Sequence, residues 1–328
     1  MLTRKSIRIS LPLLFSFLFT AVELHGWGFF AHQRINRLAV FCLPPEMMVL
    51  YKPYLEYLTT HATDPDKRRY AVAAEAPRHY IDMDVYDSVP FVNIPRNWDA
   101  AVARYSVDSL QRNGILPWHL EKMMAMLTKA FRERDQYQIL RLSADLGHYV
   151  ADAHVPLHAC SNHNGQFTGQ QGIHGLWESR VPELLADKEF DYWVGKAEYI
   201  PALRPYFWKV VTASGMAADT VLREERQLSA RVPASAKYSF ELRNGKLVKN
   251  YASAYTIAYH RALHGMVERR MQQAIRGVAC CWYTAWVNAG QPALRELSHT
   301  SFTVLELLDF VNLQRQWLHG QMLGRSEE

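Results

Sequence analysis

Five residues within one short stretch carry side chains that bind metals, and their spacing puts them within reach of one another. His148 stands four positions before Asp152, His158 follows six later, and His174 with Glu178 repeats the four-residue step. On a helix, residues i and i+4 project from one face, so each pair offers two donors to one point. A lone pair of this kind is usually a solvated ion pair. Two pairs and a fifth donor inside LGHYVADAHVPLHA…GIHGLWE point instead to a metal site, and mixed imidazole and carboxylate donors suit zinc. Cys160 lies beside this set, but a zinc site already supplied with imidazoles and carboxylates does not need a thiolate.

The elements that must position these donors are mostly helical. Apolar residues recur at three- and four-residue steps over 30–51, 120–132, 138–154, 207–230, 252–289 and 302–319, which predicts an all-α fold. Pro156 disfavours helix at Val155, so the helix bearing His148 and Asp152 should stop there and turn His158 back toward it. The exception to helix is YSFELRNGKLVK at 238–249, where Asn244-Gly245 between short alternating runs reads as a β-hairpin.

With 328 residues, 49% hydrophobic and 21% charged, the chain can bury one large core and is not disordered. Residues 1–26 have Arg4, Lys5 and Arg8, then the apolar run 11–22, then Leu24, His25 and Gly26. That layout predicts a secretory signal peptide. The apolar run is shorter than the roughly 18 residues that a span needs, so cleavage is preferred over an anchor and export to the periplasm or beyond is expected. Cleavage would lower the formal charge of +5 to about +3, too weak a balance to argue nucleic-acid binding by itself. Cys42, Cys160, Cys280 and Cys281 allow three pairings, and the sequence does not choose among them. Residues 27–293 are expected as the helical domain and 294–328 as a peripheral helix with a loose tail.

The motif WGFFAH, with Trp27-Gly28 followed by His32, resembles the start of the mature zinc-dependent single-strand nucleases of fungi and plants, sisters of the bacterial zinc phospholipases C. The likeness covers roughly 27–292 and implies a single helical domain holding three zinc ions. It places the family's next carboxylate and histidine on Asp64 and His79. One zinc would take Asp64, His79, His148 and Asp152. A close neighbour would take the terminal amine and carbonyl of Trp27, His32 and the second oxygen of Asp152. A third, more distant, would take His158, His174 and Glu178.

The resemblance also implies phosphodiester hydrolysis by a hydroxide that bridges two metals, with Asp64 orienting the water or accepting its proton. The nucleases place an Arg three residues after the first carboxylate, where this chain has Lys67; Lys67 or its neighbour Arg68 is then the expected phosphate clamp. Tyr80 and Asp82 match positions that stack a base and bond its edge, and Asn164, with His163, is expected to line the cleft. The implied activity is a secreted nuclease that cuts single-stranded RNA or DNA, or a nucleotide substrate, to 5′-phosphorylated products. Alternatives are a zinc phospholipase C acting on phospholipid head groups and a secreted zinc-binding protein without catalysis.

Overall fold

A computed structural model describes residues 28–243, 245–299 and 302–325. Residues 1–26, Trp27, Asn244 and the last three residues, on which parts of the sequence reading fall, lie outside the described residues. Helices make up 67% of the structure and strands 4%, so the all-α class with one small hairpin holds. The helices that position the site are α1 (Phe29–Val40), α2 (Asp64–Arg68), α3 (Leu116–Glu133), α4 (Gln136–Ala153), α5 (Val181–Glu189), α6 (Leu203–Ser229), α7 (Met266–Asn288) and α8 (Val304–His319).

The centre of the fold is α4, buried almost all round from Ile139 to Ala153, the state of a helix wrapped on every side by others. The Asp135 side chain caps its start, accepting from Gln138 N at 3.0 Å. α1 lays the stripe Ala31, His32, Ile35, Asn36, Ala39 and Val40 inward. Its approach to α4 is close because of Gly147: a Cβ there would meet Asn36 Oδ1 at 2.0 Å. Asn36 uses this proximity to donate to the Ala144 carbonyl at 3.0 Å. The next residue along α4 is His148, so the crossing that needs glycine also sets His32 against His148. α7 closes another side, its Trp282 indole donating to Ser143 O at 2.9 Å.

α4 ends at Ala153 and the chain turns through Pro156–Ala159, as Pro156 dictates. α6 covers that turn and is tied to the end of α4 by Ser214 Oγ, which donates to Ala153 O at 2.6 Å. Two expected continuous helices are broken. The run 30–51 divides at Pro44-Pro45, and 252–289 divides at His264 and Gly265, whose φ values of 49° and 73° lie in the left-handed region. The hairpin pairs β1 (Tyr238–Arg243) with β2 (Lys246–Tyr251), Arg243 opposite Lys246, with Gly245 at φ 77° in the tight turn. Arg180 holds the hairpin to the body, donating to Glu241 and to the Tyr251 carbonyl.

The C-terminal region departs from the sequence reading. α8 is exposed along much of its length, but its end packs on the body: Trp317 lies 5.3 Å from Phe29 between ring centroids, and residues 320–325 then lie against the segment 69–82 that follows α2 in place of trailing off as a loose tail. Among the described residues no helix is long and apolar enough to cross a membrane.

Candidate metal centre

His158, His174 and Glu178 form one buried cluster whose donor atoms all lie within 4.8 Å of one another. His158 Nδ1 donates to His79 O at 2.7 Å, and His174 Nδ1 donates to His163 O at 3.1 Å. A carbonyl only accepts, so both imidazoles carry their proton on Nδ1 and present a lone pair at Nε2. Those two Nε2 atoms face each other across 3.2 Å, with Glu178 Oε2 at 2.9 Å from His174 and 3.4 Å from His158. Three electron-pair donors aimed at one point repel one another unless a cation sits between them. Glu178 lies on a π-helical turn, Leu176–Arg180, that departs from regular α geometry.

The second cluster gathers around Asp152. Its Oδ2 stands 3.0 Å from His79 Nδ1 and 3.1 Å from His148 Nε2. Its Oδ1 stands 3.3 Å from His32 Nε2 and 3.9 Å from His158 Nδ1. The carboxylate therefore divides its oxygens between two donor sets. His148 Nδ1 donates to Ala62 O at 2.9 Å, leaving its Nε2 lone pair on the site, and His32 stacks on His148 with centroids 3.8 Å apart. All of these side chains are buried.

Burial and close charges shift the groups of this cluster in opposite directions. Burial raises the Asp152 carboxyl, but His148 and His158 outweigh it and hold it well below the usual carboxylate range. Burial lowers His79, yet its bonds to Asp152 and Glu75 push it up to about 10, with Arg69 opposing. His32 goes the other way, to about 4, through burial and the charge of His148.

The expected first carboxylate is corrected. Asp64 is not brought to the cluster: its Oδ2 takes His61 Nδ1 at 2.6 Å and its Oδ1 takes Lys67 Nζ at 3.0 Å. Asp66 stands there instead, with Oδ1 at 3.6 Å from His148 Nε2 and 3.8 Å from His79 Nδ1. It groups with His32 and His148 as a possible ion site. On the short helix α2, two residues apart is more than half a turn, so only one of the two aspartates can face inward.

The expected clamp changes with it. Lys67 is buried against Asp64 and beneath the rings of Phe29 and Trp317. Arg68 is bound inside the protein to Asp145, Tyr149 and Glu75. Counting from Asp66, the residue three positions on is Arg69, so the pattern that the resemblance leads one to expect is present in a shifted register. That Arg69 was the signal in the sequence that distinguishes Asp66 from Asp64.

The expected substrate contacts are also relocated. Tyr80 and Asp82 flank the site directly after His79, but both are buried, and Arg325 lies over the Tyr80 ring and bonds Asp82. Asn164 is buried and bonds backbone. Its Oδ1 accepts from Gly172 N at 2.8 Å and His174 N at 3.4 Å, which fixes the loop that delivers His174. Cys160 is in neither cluster, and all four cysteines are buried and free.

Sequence reasoning missed the supporting group, Glu75. It lies 3.6 Å from His79 Nε2, behind the nitrogen that faces the cluster, and is held by Arg78 at 2.6 Å, by Arg68 and by the Tyr149 hydroxyl. Carboxylates placed behind a histidine in this way orient a metal ligand and raise its basicity. Glu75 stands at i−4 from His79, the step that marked the other pairs, and this was its only signal.

The clusters fit metal ions on the chemistry of their donors. Among the described residues, Asp66 Oδ2 and His32 Nδ1 are buried with no hydrogen-bond partner, which an all-protein site would not tolerate cheaply. Trp27, expected to complete the neighbouring site, lies outside the described residues. Compared with known proteins, the chain matches no family model and no curated protein.

Proposed function

We propose that the chain is a zinc-dependent phosphodiesterase, and that its substrate is single-stranded nucleic acid cut to 5′-phosphorylated products. The observation that carries this reading is Asp152, whose two oxygens serve two donor sets while a third set lies beside it at His158. His158, His174 and Glu178 would hold one zinc, and His79, His148, Asp152 and Asp66 another. His32 and Asp152 would hold a third together with the Trp27 terminus, a ligand that rests on the resemblance. Zinc ions held by these residues would supply Lewis acidity toward phosphate oxygens and a nucleophilic water at neutral pH.

The chain's own residues then have separate tasks. Asp66 Oδ2, buried and without a hydrogen bond, accepts the proton of the attacking water. Arg69, whose charge opposes the charging of His79, would meet the spreading charge of the phosphate with a planar fork. Glu75 and the Ala62, His79 and His163 carbonyls keep the histidines in fixed tautomers. The leader expected at 1–26 makes this a secreted or periplasmic enzyme.

The test is release of acid-soluble 5′-nucleotides from single-stranded RNA by the exported protein, with zinc and after chelation. Zinc-dependent release is expected; a fully zinc-loaded protein that releases none would overturn the nuclease reading. One observation favours a second reading, hydrolysis of phospholipid head groups: the Tyr80 face on which a base would stack is taken by Arg325. The same protein assayed on phosphatidylcholine vesicles separates the two.

A further inference from the structure

Arg325 makes the two contacts that the resemblance assigns to a nucleobase. Its guanidinium carbon lies 3.6 Å from the centroid of the Tyr80 ring, and its Nη1 donates to Asp82 Oδ2. A planar group on an aromatic face with its N–H edge on a carboxylate is how such a platform grips a base. A guanidinium reproduces that shape with a positive charge.

The surrounding contacts show that the tail is seated, not draped. Leu323 N donates to the Arg69 carbonyl at 2.7 Å, and Arg69 Nη2 donates in return to the Arg325 carbonyl. Gly324 has φ 86°, and a Cβ there would meet Ala76 Cβ at 2.8 Å, so only glycine lets the chain lie this close. The tail thus engages Arg69, Tyr80 and Asp82, the cation and the platform of the proposed site, together.

We propose that residues 320–325 are a built-in plug that substrate must displace, with Arg325 standing in for the base. The proposal rests on the phosphodiesterase reading for what the plug competes with. Its geometric content, that the tail covers Tyr80 and Asp82 just after His79, stands apart from that reading. The closed tail lowers apparent affinity by the fraction of chains that are open, so a site open one time in ten binds about tenfold more weakly than an open one.

Two full-length variants test it, Arg325→Ala, which removes the stacked group, and Gly324→Val, which expels the backbone. Each is checked for an unchanged circular-dichroism melt. Both are expected to lower KM for single-stranded RNA by about tenfold with kcat unchanged. Both should bind 5′-AMP more tightly by a similar factor, and both should lose zinc faster to a chelator. A raised KM or a reduced kcat at full zinc content would overturn the plug, because Arg325 would then serve the productive complex. Unchanged AMP affinity and unchanged zinc loss would overturn it too. If no variant cleaves any phosphodiester, the enzymatic reading fails while AMP binding and zinc loss still decide whether the tail is a plug.

Discussion

The two halves of the candidate metal centre are built differently by the chain, and that difference decides how each was found. His158, His174 and Glu178 lie close in sequence, joined by one loop, and every one is where its spacing placed it. The half around Asp152 is assembled from α1, α2, the turn before His79 and α4, segments far apart in the chain. There the i, i+4 pair His148 and Asp152 was legible, and the carboxylate from α2 was misplaced by two residues. Helical spacing fixes direction, whereas a short helix such as Asp64–Arg68 leaves the choice between two aspartates to packing. Asp64 is claimed by His61 and Lys67, and Asp66 is what remains to face inward.

The comparison can be broken most severely at Asp152, the residue shared by both halves. Asp152→Asn should reduce phosphodiester hydrolysis by well over the about 100-fold that loss of a supporting residue costs, measured as kcat/KM on single-stranded RNA. A loss under tenfold would show that the oxygens of Asp152 are not ligands. The next largest effect separates the two aspartates of α2. Asp66→Asn should weaken zinc binding by about 100-fold or more, while Asp64→Asn changes it by less than tenfold, read by competition with a chelating dye. The reverse ranking would restore the register in which Asp64 is the ligand.

A smaller effect is expected at the loop that serves the local half. Asn164→Ala removes the acceptor for Gly172 N and His174 N, and should weaken zinc binding there by about tenfold, the lower end for a supporting group. Binding that is unchanged would make Asn164 a bystander.

The smallest effect contrasts histidines inside the centre with one outside it. His79 is pushed up by its carboxylates, whereas burial, and then the charge of Arg78, lowers His119 to about 3. His119 is neutral in the folded chain and takes up a proton on unfolding below its ordinary value of 6.5. The unfolded state therefore binds more protons, and this residue's contribution to stability is lost as pH falls from about 6.5 toward 3. The slope is about 1.4 kcal/mol per pH unit well below 6.5. In denaturant titrations His119→Gln should flatten that acid limb; an unaltered limb would place the buried charge cost elsewhere.

Much of the fold was legible because its signals are local. Periodicity located the main helices, Asn244-Gly245 located the turn of the hairpin, and Pro156 located the turn that presents His158. The two broken helices were misread because apolar steps continue across Pro44-Pro45 and across His264-Gly265, so the pattern alone ran them together. The pairs spaced four apart, His148 with Asp152 and His174 with Glu178, do come together in buried clusters, while Glu75 and the seat of Arg325 depend on contacts between distant segments. The tail was least legible of all: Gly324 and Arg325 look like ordinary surface residues until Ala76, Tyr80 and Asp82 are placed beneath them.

The most direct test of the central claim is the number of tightly bound zinc ions per chain, counted by native mass spectrometry on the Trp27-initiated protein and on its Asp152→Asn variant. Three ions are expected in the first. The variant should lose the ions that share Asp152 and keep the one held by His158, His174 and Glu178. A variant that still holds three, or an unaltered protein that holds only one, would contradict a centre built around a shared carboxylate.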